Sequence, residues 1–382
     1  MSETKYSIYK IPSTYLIGDL LILRAVSSIH TGVGRRGGII DLPIQRDEHG
    51  FPCIFSSSIK GALKTALLNA FINICGDFET ARRAVMALLG PDPEEGESFE
   101  SSIAILDAYL LAMPVRSLKG VYVYVTSPYL LERFAERLEL LENYNTSSSI
   151  KQETQEITSK SLKSCIQELL RKVGHGHAIC VNDCEKVSIT EIGGALLVDE
   201  FLLEINSVKN QSCSILKNLV GKLKLEKPLL ILDDEDAKMV INRGLLRLTR
   251  VRLSRETKTV STGPWTEEYL PPKTILHTVI LYKKPPLTRT FILKILKNQL
   301  TGEVTKNLSD AEYLKALKKL RIINTNDIEE IRKTKNLSEK LRKITEKIRE
   351  GFRNLILSEL KGYIIVGGNE TIGRGIEKIE FW

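Results

Sequence analysis

Asp41 is the residue whose surroundings most suggest chemistry. It is one carboxylate in an otherwise apolar run, Ile39-Ile40-Asp41-Leu42-Pro43, just after Gly32, Gly34, Gly37 and Gly38. Eleven residues upstream stands His30. Its imidazole titrates in a range that suits proton transfer; the alternative is a partly buried ring bonded to backbone. Downstream come Gln45 and Arg46, then Ser56, Ser57 and Ser58, then Lys60 and Lys64. Glycines let a backbone approach a phosphate closely, and N–H groups at a helix start followed by lysines form an anion site. Arg46 could hold a phosphate through two nitrogens. These types and spacings allow the handling of a polyanion, with Asp41 nearby as base, metal anchor or solvated loop carboxylate.

Three more groups of residues could carry function. Gly367, Gly368, Gly373 and Gly375, with Asn369 and Arg374, make a second glycine loop near the end of the chain. Between Arg243 and Lys258 there are six basic residues and one acid. Alternation around Leu246–Leu253 suggests a strand with one basic face carrying Arg247, Arg250 and Arg252, followed by a turn over Glu256–Pro264 and then Trp265. Such a segment could also be an ordinary amphipathic hairpin packed on its own domain. Finally, His175, His177, Cys180 and Cys184 lie within ten residues and could bind zinc tetrahedrally, although the spacing matches no common finger.

The elements that must position these residues are legible in outline. Thr14–Ser28 alternates loosely between apolar and polar and reads as a strand through Leu20-Leu21-Ile22-Leu23. Ser56–Ala70 reads as a helix, with Ile59, Leu63, Ala66 and Leu67 on one face and the serines as N-caps. Thr80–Leu89 and Ser161–Arg171 are further helices; Ile103–Leu110, Val121–Val125 and Ala195–Ile205 are strands. Pro91–Ser98 is an acidic loop, and Asn143–Lys160 a polar surface excursion. Asp234–Leu248 begins as a helix and becomes extended. Residues 301–350 hold 13 Lys+Arg and 9 Asp+Glu with Leu and Ile at helical spacing, which predicts an amphipathic, solvent-laced helical insertion. Strands Tyr363–Val366 and Ile376–Phe381 close the chain. Strands and helices mix without even alternation, so the fold class is α+β.

With 382 residues, 42% hydrophobic and 27% charged, the chain can bury a substantial core. Its net charge of +8 suits a nucleic-acid partner without requiring one. No apolar run reaches the ~18–20 residues of a membrane span and no signal peptide is legible, so a cytoplasmic protein with no membrane partner is expected. The scattered cysteines argue against a disulfide framework.

Four stretches, in order, resemble the RAMP superfamily of CRISPR effector proteins, and most closely the backbone-forming subunits of type III-B (Cmr) complexes. They are Asp41-Leu42-Pro43-Ile44-Gln45-Arg46; Leu106-Asp107-Ala108 with Pro114–Gly120 and Val125–Pro128; Trp265–Pro272; and Val366–Gly375. The resemblance implies a ferredoxin-like or RRM-like palm built from 1–134 and 353–382, a variable insertion at 135–230, a β-hairpin thumb at 244–278 and a helical insertion at 300–352. It implies RNA-guided, metal-dependent cleavage of target RNA through attack by the RNA's own 2′-hydroxyl. Asp41 matches the aspartate required for cutting, with Mg or Mn as the cofactor and His30 as a further catalytic candidate. RNA binding falls to Gln45, Arg46, Ser56, Ser57, Ser58, Lys60, Lys64, Arg247, Arg250, Arg252, Trp265, Gly367, Gly368, Asn369 and Arg374. The implied partners are a guide CRISPR RNA, a single-stranded target RNA, stacked copies of this chain and other Cmr subunits. Because the superfamily also contains non-catalytic RNA-binding scaffolds, that reading stands as the alternative; a stand-alone guide-processing ribonuclease using His30 is a third.

Overall fold

The computed structural model describes residues 15–35, 37–91, 101, 103–145, 157–190, 193–206, 212–283, 318, 322–334 and 337–382. The expected acidic loop over 92–98, most of the polar excursion at 146–156, and 300–321 apart from Lys318 lie outside these residues.

The core is a mixed α+β arrangement around β1 (Tyr15–Ala25). This strand pairs antiparallel with β12 (Ile275–Lys283) on one side and β14 (Ile376–Phe381) on the other. β12 pairs antiparallel with β4 (Ala108–Ser117). The spatial order β14-β1-β12-β4 is thus fourth, first, third, second along the chain. α1 (Ser56–Cys75) lies between the first and second of these strands in sequence, and α8 (Leu337–Asn354) between the third and fourth.

Both faces of this sheet are covered. Leu21 and Leu23 enter one core with Ile59, Leu63, Leu67 and Phe71 of α1 and Ile344, Ile348 and Phe352 of α8. Leu20 and Ile22 enter a second core with Leu131, Phe134 and Leu138 of α3 (Pro128–Asn145). The alternation expected of β1 is therefore wrong: a strand buried on both faces reads as a continuous apolar run. α8 likewise departs from expectation. It is amphipathic, but it is a core helix and not a solvent-laced insertion. Its inner residues recur every four positions, and Arg349 and Arg353 reach the buried Asp19 of β1 at 2.6 and 3.0 Å.

Beyond β4 the sheet continues through β5 (Val121–Thr126), β9 (Leu229–Ile231), β6 (His177–Cys180), β8 (Phe201–Asn206) and β7 (Leu196–Val198). A pairing of Ser117 with Val198 brings β7 back to β4, so these six strands close on themselves. Two boundaries differ from expectation. Ile103–Leu110 is split into β3 (Ile103–Ile105) and β4 because Asp107 leaves the strand to bond the Ser56 N–H. Ala195–Ile205 is a hairpin, β7–β8. Cys180 and Cys184 form a disulfide that staples the turn after β6, a single local link where the scattered cysteines argued against a disulfide framework. Among the described residues no helix is long and apolar enough to cross a membrane.

A two-stranded ribbon of β10 (Leu246–Leu253) and β11 (Val260–Tyr269) stands apart from the main sheet. It is exposed along most of its length, Leu248, Val251, Leu253 and Val260 included. The helix α6 (Asp234–Gly244) feeds β10, and β11 runs into β12 after Leu270–Thr274. The chain reverses at Ser254–Thr259, so 260–264, expected as turn, belongs to the second strand.

Candidate nucleic-acid interface and cleavage site

Four segments meet at the root of the ribbon. The loop 28–46 doubles back on itself, with the Gln45 N–H donating to Thr31 O at 2.8 Å and the Val33 N–H to Pro43 O at 3.2 Å. Its return strand is laced to β11: the Leu42 N–H donates to Thr266 O and the Glu268 N–H to Leu42 O. This lacing sets Asp41. One carboxylate oxygen accepts the Thr266 N–H at 2.8 Å; the other faces the exposed Arg35 guanidinium at 3.9 Å. With its side chain 30% exposed, Asp41 is anchored on one side and open on the other.

β11 contributes two buried acids, Glu267 and Glu268, that reading of the sequence did not single out. Glu267 accepts hydrogen bonds from Trp265 Nε1 at 2.8 Å, Arg250 at 3.1 Å, Asn369 Nδ2 at 3.2 Å and the Tyr269 hydroxyl. Burial alone would raise its pKa, but the bonds from Tyr269, Trp265 and Arg250 outweigh it and hold the carboxyl below the usual range. Glu268 pairs with Arg46 at 2.8 Å and Arg247 at 3.5 Å. The signal for both was a pair of acids inside an aromatic, otherwise strand-like run, Trp265–Tyr269.

This hub gives several residues expected to face RNA a partner within the protein. Arg46, Arg247, Arg250, Asn369 and the indole N–H of Trp265 turn inward, because two buried carboxylates need those donors. Arg247 pairs across from Glu268 and Arg250 from Trp265, so they sit three residues apart on opposite faces of the strand; there is no single basic face. Arg252 is exposed near the far end. Gln45 is buried too: its amide donates to Ser58 Oγ at 3.1 Å and accepts the Phe55 N–H at 2.7 Å, fastening the loop to the start of α1.

The second glycine loop docks on His30. Gly367 has φ +87, and a Cβ there would lie 2.2 Å from His30 O. The Gly368 N–H donates to that same carbonyl at 2.9 Å. His30 is 7% exposed; its Nδ1 donates to Glu268 O at 2.7 Å and its ring lies against Tyr269. The ring therefore fastens the loop to β11. Arg374 bonds Ser28 Oγ at 3.1 Å, with its guanidinium over the Tyr269 ring.

α1 begins at the edge of this junction. Its serines lie in the first turn and do not cap it: Phe55 occupies the cap position and Asp107 accepts the Ser56 N–H at 2.6 Å. Ser57 is exposed. A groove of about 630 Å³ runs between Ser57, Ser58, Gly61 and Thr65 of α1 and the Tyr363–Gly367 segment. Lys60 and Lys64 follow on the same helix. Burial, then the charges of Lys64 and Lys283, lower the pKa of Lys60, as expected where cations gather. Lys64 donates to Pro91 O at 2.8 Å.

Neither metal expectation finds a ready cage. Among the described residues, Asp41 has no grouping of further His, Cys, Asp or Glu ligand atoms beside it. The sulfurs of Cys180 and Cys184 are joined to each other, His177 faces Glu204 at 3.4 Å, and His175 turns to Asp236 at 2.7 Å. The four residues considered for zinc do not converge.

The RAMP superfamily model matches residues 22–378. The chain is 30% identical over 301 residues to the CRISPR system CMR subunit Cmr4 of Saccharolobus solfataricus, covering 72% of this chain and 87% of that one. It is 31% identical over 271 residues to the CRISPR system Cmr endoribonuclease Cmr4 of Pyrococcus furiosus, covering 70% and 81%. A chain in the cryo-EM structure of the type III-B Cmr-beta complex bound to cognate target RNA superposes with a TM-score of 0.60 at 27% identity, covering 96% of this chain and 98% of that one.

Proposed function

Since this chain belongs to the RAMP superfamily, among its Cmr4 subunits, we propose that it is the backbone subunit of a type III-B CRISPR effector and an endoribonuclease that cuts RNA paired to a bound guide. The β14-β1-β12-β4 sheet with α1 and α8 is the ferredoxin-like palm, and the β10–β11 ribbon is the thumb. Guide RNA, target RNA, other Cmr subunits and neighbouring copies of this chain are its partners. The observation that carries the cleavage role is the setting of Asp41. Its carboxylate is fixed through one oxygen by a backbone N–H of the ribbon, while the other oxygen faces only the exposed Arg35 on a side chain that is 30% exposed.

The chemistry follows from that setting. A target nucleotide unstacked beside the ribbon presents its 2′-hydroxyl to the open oxygen of Asp41. The carboxylate takes the hydroxyl proton, the 2′-oxygen bonds to the adjacent phosphorus, and the bond to the 5′-oxygen breaks, that oxygen taking a proton from water while Asp41 later returns its own to solvent. The products are a 2′,3′-cyclic phosphate and a 5′-hydroxyl. Arg35, opposite Asp41 and 75% exposed at its side chain, is placed to meet phosphate charge. A divalent ion at Asp41 would need the remainder of its ligands from RNA and water. His30, buried and donating through Nδ1, holds the loop that carries Asp41.

Phosphate contacts come from the start of α1, with Ser57 and Ser58 lining the groove and Lys60 and Lys64 on another face of the same helix, and from the exposed Arg252. Sequence is read by base pairing to the guide, the division of labour general to RNA-guided recognition. The test is an effector complex assembled with the Asp41→Asn subunit. Guide and target binding should match wild type while cutting falls by several orders of magnitude. Undiminished cutting would leave a non-catalytic scaffold as the correct reading.

A further inference from the structure

We propose that His175, Asp233 and Asp236 form a binding site for one divalent transition-metal cation of the zinc class, separate from the cleavage site. One ligand atom from each lies within 4.8 Å of the other two. His175 Nδ1 is 2.7 Å from Asp236 Oδ1 and 4.0 Å from Asp233 Oδ2. Tetrahedral ligands at zinc distances of about 2.0–2.2 Å stand roughly 3.3 Å apart. The observed separations bracket that value, so a small turn of the ring completes the geometry.

The second oxygen of each carboxylate is what makes this more than a chance cluster. Asp233 Oδ1 accepts the N–H groups of Glu235 and Asp236, which fixes the side chain as the N-cap of α6. Asp236, 4% exposed, gives Oδ2 to the Gly176 N–H at 2.8 Å. Each acid thus spends one oxygen on backbone and directs the other toward His175, the outer-shell arrangement that orients metal ligands. Asp233 Oδ2 is shut off from solvent and has no hydrogen-bond partner. With the Asp233 side chain 23% exposed and His175 Nδ1 4.0 Å away, that oxygen is left able to accept a cation.

Charge and access agree. The positive end of the α6 dipole disfavours a cation there, but Asp233, Asp234, Glu235 and Asp236 follow one another and outweigh it. His175 is 81% exposed at its side chain and sits between Gly174 and Gly176, so its ring can turn and a water can take a fourth position. One nitrogen and two carboxylate oxygens suit zinc or its substitute cobalt. The site would tie the segment entering β6 to the helix that feeds the ribbon. α6 has eleven residues, which puts the cation about 15 Å along the helix from its far end, where Asn242 meets Arg46.

The test uses the full chain, stripped with chelator and titrated with Co²⁺. One equivalent should bind, with visible d–d bands and no near-ultraviolet thiolate band, and Zn²⁺ should displace it. Saturating Zn²⁺ should raise the melting temperature by a few degrees. His175→Ala and Asp233→Asn should each reduce affinity at least tenfold. Asn remains a good N-cap, so the second variant keeps the helix start intact. Absence of saturable binding, a thiolate band, or affinity unchanged by His175→Ala would overturn the assignment.

Discussion

Glu377 should make the fold lose stability as pH rises through the neutral range. It lies on β14 opposite Ala25 of β1 and Ile364 of β13 (Tyr363–Ile365). It is fully buried, neither carboxylate oxygen has a hydrogen-bond partner, and burial pushes its pKa from 4.5 up to about 8. The folded pKa is above the unfolded one, so between the two values the folded chain holds a proton that the unfolded chain has released. Stability contributed by the neutral acid is complete below pH 4.5 and falls by about 1.4 kcal/mol per pH unit until about pH 8, then levels off. At pH 7 the loss amounts to about 3 kcal/mol, and above pH 8 to about 5 kcal/mol. Glu377→Leu replaces the acid with an apolar group of similar size among Ile364 and Ile379 and removes this slope. Urea denaturation of both proteins at pH 5, 7 and 9 should show the variant gaining on wild type at each step. Parallel curves over that range would mean that Glu377 is solvated or paired, and the burial reasoning would fail.

Further outcomes follow from the ribbon root and from α1. Glu267→Ala leaves Arg250, Trp265, Tyr269 and Asn369 without their shared acceptor, and should destabilise the chain by about 3 kcal/mol in denaturant titration while speeding hydrogen exchange in β10–β11. Gly367→Ala combines a positive φ with a Cβ 2.2 Å from His30 O, and should cost about 3 kcal/mol or more, read as a fall in melting temperature. Replacing both Lys60 and Lys64 by Ala should weaken binding to all guides alike and lower the salt slope by about 1.4, at ~0.7 per phosphate contact on a single strand. Shortening Ser254–Thr259 should blur the regular ladder of cleavage products while RNA binding persists; an unchanged ladder would rule out the ribbon as the wedge.

Local signals in the sequence located most elements but not always their surroundings. α1 was legible because Ile59, Leu63 and Leu67 recur on one face, whereas its cap was not, since Asp107 arrives from the break between β3 and β4, about fifty residues away. The charged segment 337–354 looked solvated because every polar residue outside its Ile344-Ile348-Phe352 stripe counts equally in composition, and nothing local marks Arg349 as the partner of a buried Asp19. The family order grouped Asp41, His30 and the two glycine loops, and the second of those loops docks on His30. The internal partners of Arg46, Arg247 and Arg250 were not legible, because a basic residue on a strand looks free until the acid beside it, Glu267 or Glu268, proves to be buried. Ligand types within ten residues likewise suggested zinc among His175–Cys184, yet two of the four bond to each other and the carboxylates that meet His175 come from nearly sixty residues downstream.

The ribbon is held at both ends of its root. Only Leu245 separates α6 from β10, and β11 passes through a short turn into β12, the strand beside β1 at the centre of the sheet. Mechanically this is a cantilever built into its wall. A load at the tip, such as a base pair resisting separation, is carried by the core and not absorbed by a hinge. Copies arrayed along a guide would then impose their own pitch on the RNA, and the interval between cuts would be a dimension of the protein, constant whatever sequence the guide carries.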